Sequence, residues 1–211
     1  MSDDSFKVAP RAGEVGLSAC FDDEQVRECI ISSLLIDGRQ GVDALIAYLD
    51  ESDFFIAPAS TKYHGNYSGG LARHSLDVYN RLAHKTFYYG KLKTPCIIPG
   101  LMHDICKVGQ YFRETKWRKN DETGKWESYK GWVTKDSMPL GHGEKSVIIL
   151  QKFIDLTDLE IAMIRWHMGP FGLSPEQVRT FNQAVALHPE IVAMYTSDYE
   201  VSTFLDEMRE E

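Results

Sequence analysis

The chain's four cysteines, Cys20, Cys29, Cys96 and Cys106, include no CxxC pair. That absence removes the spacing of a structural zinc site and any sign of a disulfide framework, so reduced thiols in a cytoplasmic protein are the expectation. No apolar run approaches membrane-spanning length, and Met1-Ser-Asp-Asp lacks the basic and apolar regions of a secretory signal. Positive charge is in deficit: Lys and Arg total 23 against 31 Asp and Glu, a net charge of −8. This balance argues against broad electrostatic capture of a nucleic-acid duplex, while leaving room for a local basic patch. Internal repeats and low-complexity tracts are also missing. What is present is ordinary for a globular protein: 43% hydrophobic and 26% charged residues, in a 211-residue chain long enough for one sizeable core.

Residues 1 to about 20 hold Pro10, glycines and mixed charge without a period, which reads as an arm. From Asp22 the pattern becomes helical, with Val26, Cys29, Ile30, Leu34 and Leu35 at three- and four-residue steps. A second helix is expected over about 41–50, around Val42, Leu45, Ile46 and Leu49. Pro58 to Gly70 is a loop by composition, and helical patterns resume at about 71–87 and 96–107. Between about 110 and 134, two aromatic-rich runs flank Asn120-Asp-Glu-Thr-Gly124, turn chemistry that predicts a β-hairpin. Three later helices are expected. Thr157 with Glu160 forms a capping-box pattern, Ser174-Pro175-Glu176-Gln177 combines an N-cap with Pro at the first position, and the last helix runs over about 189–209.

Set within these helical patterns are His74, the neighbours His103-Asp104, then His142, His167 and Asp198. Imidazole nitrogens and carboxylate oxygens are ligands for divalent metals. A histidine or aspartate standing alone is usually a satisfied core or surface residue, and His84 and His188 are left to that reading. The six together are hard to explain by packing, since an unpaired carboxylate such as Asp198 between Met194 and Val201 is costly unless a cation compensates it. The set reads as a catalytic metal centre, with two ions.

Those residues carry a resemblance. Tyr63-His64-Gly-Asn-Tyr-Ser-Gly69-Gly70-Leu71-Ala-Arg73-His74-Ser, followed by Leu101-Met-His103-Asp104-Ile-Cys-Lys107, resembles the HD superfamily of metal-dependent phosphohydrolases. Within it, the similarity is to the HD domain of YhaM-type 3′–5′ exoribonucleases. That group shows a Gly-Gly-Leu-x-x-His segment, a His-Asp-Ile-Gly-Lys segment, a Gly-His segment, a later His and a closing Asp. Gly141-His142, Trp166-His167 and Ser197-Asp198 supply the last three, so the resemblance runs over about 60–205. Cys106 stands where the family has glycine, and residues 1–60 are too few and too helical for the OB-type module that precedes the exoribonuclease domain.

The resemblance implies a mostly α HD-type helical bundle, a single domain over 21–211 with the hairpin inserted. It also implies a first metal on His74, His103, Asp104 and Asp198, with Asp104 bridging to a second ion on His142 and His167. Mn, Fe, Co, Ni and Mg all suit such mixed sites. Two ions about 3.5–4 Å apart activate water and stabilise charge gathering on phosphorus. Asp104 and Lys107 are therefore the expected catalytic pair. Lys107 is expected at the substrate phosphate, with a solvent-facing lysine as the alternative. His64, with Tyr63, is expected at the substrate mouth, and Arg73 is a candidate phosphate clamp. Glu144 reads as a surface carboxylate rather than an orienter of water.

The hairpin offers the main feature that could select a substrate. It holds Arg113, Lys116, Arg118, Lys119, Lys125, Lys130 and Lys135 against Glu114, Asp121, Glu122 and Glu127, interleaved with Trp117, Trp126 and Trp132. Rings beside cations suit a base and its phosphate, with Trp126 the candidate contact. The alternative is a hairpin that packs its tryptophans on the bundle. The expected activity is phosphoester hydrolysis of a nucleotide or a short single-stranded nucleic-acid end, the small nucleotide favoured by the acidic charge. Rival readings are a 3′–5′ exonuclease working through the hairpin, a di-iron HD-fold oxygenase, and a non-catalytic nucleotide sensor. No membrane partner is expected; oligomerisation stays open.

Overall fold

Three helix starts, at Asp22, Thr157 and Ser174, are written into the chain as side-chain caps. Asp22 accepts the Gln25 N–H at 2.8 Å while the Gln25 side chain accepts the Asp22 N–H at 3.0 Å, opening α1 (Asp23–Asp37). The computed structural model describes residues 18–89 and 97–205. After α1 come α2 (Val42–Glu51), α3 (Gly70–Tyr89) and α4 (Ile97–Met102), then the strands β1 (Tyr111–Lys119) and β2 (Trp126–Thr134). Four helices complete the described chain: α5 (His142–Leu150), α6 (Asp158–Arg165), α7 (Pro175–Leu187) and α8 (Glu190–Phe204). The fold is thus mostly α with one antiparallel hairpin. Both expected capping boxes are formed, Thr157 with Glu160 at α6 and Ser174 with Gln177 at α7.

The apolar stripes meet in one main cluster. Val26, Ile30 and Leu34 of α1 and Leu45 and Leu49 of α2 pack with Leu71 and Leu76 of α3, Ile98 and Leu101 of α4, and Leu150 and Ile164. A second cluster joins Val78 and Leu82 of α3 to Met163 of α6 and Met194 and Val201 of α8. A third seats α7, through Phe181, on Trp166 and Ile191. Leu35 is exposed, because α1 buries only one stripe. At Gly100 an added Cβ would stand 2.7 Å from the Tyr79 Cα, so α4 lies directly against the backbone of α3.

Two local expectations need correction. The helix expected over about 96–107 ends at Met102: His103 and Asp104 occupy a turn, followed by a 3-10 turn at Ile105–Lys107. Four helices rather than three follow the hairpin, because α5 begins at His142. Its Gly-His-Gly-Glu opening and solid apolar Val147–Leu150 run leave no helical period to read. The last helix starts at Glu190, with Pro189 as its cap. The expected arm, 1–20, lies outside the described residues except for Ser18–Cys20, whose Ser18 N–H donates to Asp77 at 2.9 Å. Cys96 also lies outside them.

The hairpin closes where Asn120 Oδ1 accepts the Glu122 and Thr123 N–H groups at 3.0 and 2.9 Å, and Gly124 takes a positive φ of 66°. At its foot the Trp132 indole N–H donates to the Asn66 carbonyl at 3.2 Å, tying the ribbon to the loop before α3. Among the described residues no helix is long and apolar enough to cross a membrane.

Candidate metal centre

Asp104 is the hub of a buried cluster, and its two carboxylate oxygens face different neighbours. Oδ1 lies 2.8 Å from His142 Nε2 and 3.5 Å from His167 Nε2. Oδ2 lies 3.5 Å from His103 Nε2, 3.7 Å from His74 Nε2 and 2.6 Å from Lys107 Nζ. Asp198 Oδ1 closes the second side, 3.1 Å from His74 Nε2. Five stretches of chain deliver these groups: α3 brings His74, the turn after α4 brings His103 and Asp104, and α5 opens with His142. The turn after α6 supplies His167, and α8 supplies Asp198.

Backbone carbonyls set the histidine tautomers. His103 Nδ1 stands 2.9 Å from the Gly100 carbonyl and His167 Nδ1 stands 2.7 Å from the Ile164 carbonyl. A carbonyl only accepts, so both Nδ1 atoms carry the proton and both Nε2 atoms turn a lone pair toward the centre. Burial disfavours charging the His103 ring and, against the pull of Asp104, pushes its pKa down to about 4, leaving a neutral imidazole near pH 7. Burial acts to raise the Asp104 carboxyl, but Lys107, His103 and the His142 hydrogen bond hold it well below the usual carboxylate range. Asp198 is held low against burial in the same way, by the hydrogen bond and charge of His74. Burial opposes the Lys107 ammonium, but Asp104 raises its pKa above the ordinary lysine value.

This donor set fits a divalent cation better than it fits protons. His167 Nε2 is buried and makes no hydrogen bond, and His103 Nε2 faces His74 Nε2 at 3.3 Å. A buried acceptor without a donor costs free energy, and the His167 lone pair is left in that state. His74, His103 and Asp198 have ligand atoms within 4.8 Å of one another, a spacing that one cation could share. Cys106, Asp104 and His142 likewise have ligand atoms within 4.8 Å of one another. The Cys106 thiol is pushed up to about 12 by burial and by Asp104, which makes it a protonated packing group rather than a thiolate.

No protein-family model, no curated protein and no solved structure matches this chain. The centre's chemistry therefore rests on its own geometry.

A cavity of about 690 Å³ opens onto this cluster. Asp104, Lys107, His142, His167 and Asp198 reach its wall, together with His64, whose ring centroid is 5.2 Å from that of His74. Arg73 does not reach it. One of its terminal nitrogens donates to the Ser18 and Phe21 carbonyls at 2.6 and 2.8 Å and the other to Asp23 at 2.6 Å, so α3 uses it to hold the segment before α1. Trp126 is also absent from the wall and stands exposed at the far end of the hairpin. Glu144 pairs with Arg165 at 2.5 Å, a surface ion pair as expected.

Sequence reasoning missed the aromatic rim. Tyr195 and Tyr199 line the cavity with Asp198 and Ser202, and Phe171 stacks on Tyr199 with ring centroids 5.6 Å apart at 20°. The α8 residues were legible: positions 195, 198, 199 and 202 fall at i, i+3, i+4 and i+7, a single stripe that includes Asp198. Phe171 follows the α6 turn in a Gly-Pro-Phe-Gly loop, where no period exists to read.

Gly143 links two of the candidate ligand histidines. A Cβ there would meet the Arg165 and Ile164 carbonyl oxygens at 2.4 and 2.6 Å, and the latter carbonyl holds His167. Gly143→Ala should therefore displace His142 and His167 together, costing about 1–3 kcal/mol by overpacking. Urea denaturation with manganese titration checks this: stability and metal affinity should fall together, whereas wild-type affinity would show that the carbonyls yield without moving His167.

Proposed function

We propose that the chain is an HD-type, metal-dependent phosphohydrolase acting on a nucleotide or on the end of a short single-stranded nucleic acid. The observation that carries this is the two-sided Asp104 carboxylate, with His142 and His167 on one oxygen and His74, His103 and Lys107 on the other. Asp104, His142 and His167 on one side, and Asp104, His74, His103 and Asp198 on the other, would hold divalent ions, which would supply activated water and neutralise phosphoryl oxygens. Asp104 remains ionised at neutral pH because of its neighbours, so both sets keep their shared anion. Lys107 keeps its ammonium charge at the cavity wall, where a phosphoryl oxygen can share it with Asp104. His64, on the loop side, lines the same cavity, where it could meet the substrate. Tyr199 and Phe171 offer a flat apolar face to the ester's organic part.

Two features favour hydrolysis over the di-iron oxygenase. Lys107 sits against the central carboxylate, where it suits a phosphate, and the rim suits a base. The deciding experiment is product analysis with manganese on a panel of nucleotides and short single strands, beside iron content and oxygen uptake. Release of phosphate, pyrophosphate, triphosphate or mononucleotides supports the proposal. Oxygen consumption with bound iron and no phosphate product sinks it. Tyr199→Ala should raise KM about ten-fold, with a smaller change in kcat, because stacking on a base is worth roughly 1–3 kcal/mol. Steady-state kinetics on a nucleotide reads this, and an unchanged KM would remove Tyr199 from substrate recognition.

A further inference from the structure

The strand register sorts the hairpin's charges in a way composition does not reveal. Successive strand residues point to opposite faces, and Tyr111 pairs with Thr134 through to Lys119 with Trp126. Glu114 and Glu127 therefore share one face, and both are matched: Lys135 meets Glu114 at 2.6 Å and Arg118 meets Glu127 at 2.7 Å. The opposite face receives Arg113, Lys119 and Lys130 together with Trp117, Trp126 and Trp132. Neither strand puts a carboxylate on it; the remaining acids, Asp121 and Glu122, lie in the turn. Contacts follow the same division. The Arg113 guanidinium lies 4.3 Å over the Trp132 ring, and Lys130 Nζ donates to Thr115 Oγ1 at 2.9 Å, all on this second face.

Two further observations give the face a direction. Trp117 and Trp126 are 63% and 67% exposed, so flat rings stand in solvent instead of packing on the bundle. At the foot of the same face, Tyr111 lines the cavity, and Trp132 is hydrogen-bonded to Asn66, three residues from Tyr63 of the cavity wall. The face thus runs roughly 27 Å from the cavity to the hairpin tip, at about 3.4 Å per residue.

We infer that this tryptophan-and-cation face of the hairpin binds single-stranded nucleic acid and leads one end of it toward the Asp104 cavity. Phosphates are drawn to a face without carboxylates on a chain of net charge −8, and unpaired bases stack on Trp117 and Trp126. A duplex keeps its base faces covered and cannot use those rings. Delivery of the strand to a reacting centre rests on the proposed phosphohydrolase activity; binding to the hairpin does not.

The test is fluorescence anisotropy of a labelled single-stranded RNA or DNA of about 12 nucleotides, with indole quenching read alongside. Metal-free full-length protein in EDTA is used, so that nothing is cleaved. The wild type should bind the oligomer at least ten-fold tighter than a mononucleotide and than a duplex of the same length, with binding weakening steeply as salt rises. Trp117→Ala with Trp126→Ala should weaken binding about ten-fold or more. Lys119→Gln with Lys130→Gln should weaken it and flatten the plot of log affinity against log salt by about 0.7 for each phosphate no longer neutralised. Both pairs change exposed positions, and melting curves confirm that the fold is kept. Equal affinity for mononucleotide, duplex and single strand overturns the inference, as do variants that bind like wild type. Strand binding without any hydrolysis on adding manganese would leave the inference standing and defeat the enzymatic reading. Nucleotide hydrolysis without strand binding would do the reverse.

Discussion

Asp104→Asn should abolish the proposed phosphoester hydrolysis, by at least ~10³-fold, while leaving the helical fold in place. Losing a residue that merely supports a ligand weakens such sites by about 10–100-fold. Asp104 is more central than that: its two oxygens face four imidazoles and one ammonium. The amide keeps the shape and one carbonyl oxygen but loses the charge shared by the two histidine sets. It also leaves Lys107, only 8% exposed, without its counter-ion at 2.6 Å. Lys107 borders the cavity and can rehydrate, which limits the cost to stability. Circular dichroism should match the wild type, while metal content and product formation both collapse. An Asp104→Asn protein that retains bound ions and turnover would show that the reacting centre is elsewhere.

The largest stability effect is expected at Arg39. Its guanidinium donates to Asp37 through Nε and Nη2, to Glu160 through both terminal nitrogens at 3.0 and 2.7 Å, and to the Asp155 carbonyl at 3.1 Å. Glu160 is fully buried and also accepts the Thr157 N–H and hydroxyl that open α6. Removing one partner of a buried pair strands the other charge, typically at about 3–5 kcal/mol. Arg39→Ala should lower the urea midpoint accordingly. Arg39→Lys should recover only part of the loss, because an ammonium cannot span two carboxylates as a planar fork does. A loss below about 1 kcal/mol would mean that water reaches Glu160 and screens it. Since α6 carries the carbonyl that orients His167, metal affinity should weaken in the same variant.

The distance over which information acts decides what can be read from the chain. The capping boxes at Thr157 and Ser174 are legible because donor and acceptor lie three residues apart. The hairpin is legible because its turn chemistry is local. The six candidate ligands can be named from residue type and helical context, and the fold does bring them into one cluster. The role of Arg73 is not legible, because its partners, Ser18, Phe21 and Asp23, lie some fifty residues upstream and no local pattern announces them. Trp126 can be placed on the hairpin but not away from the cavity, since that depends on how far the ribbon projects. The matching of Glu114 and Glu127 on one face needs the strand register, which a count of seven bases against four acids does not contain. The α5 helix escapes a periodic reading because its apolar residues are consecutive.

Gathering one candidate centre from α3, α4, α5, α6 and α8 would also make any ion occupancy and global folding a single equilibrium. His74 and Asp198 come from opposite halves of the chain and meet only when α3 and α8 pack, so the unfolded chain has no comparable site. By mass action, a ligand held only by the folded form at a hundred times its dissociation constant adds about 2.7 kcal/mol, and each further tenfold adds about 1.4. The melting temperature should therefore climb with the logarithm of manganese concentration, and a chelator should act on this protein as a mild denaturant.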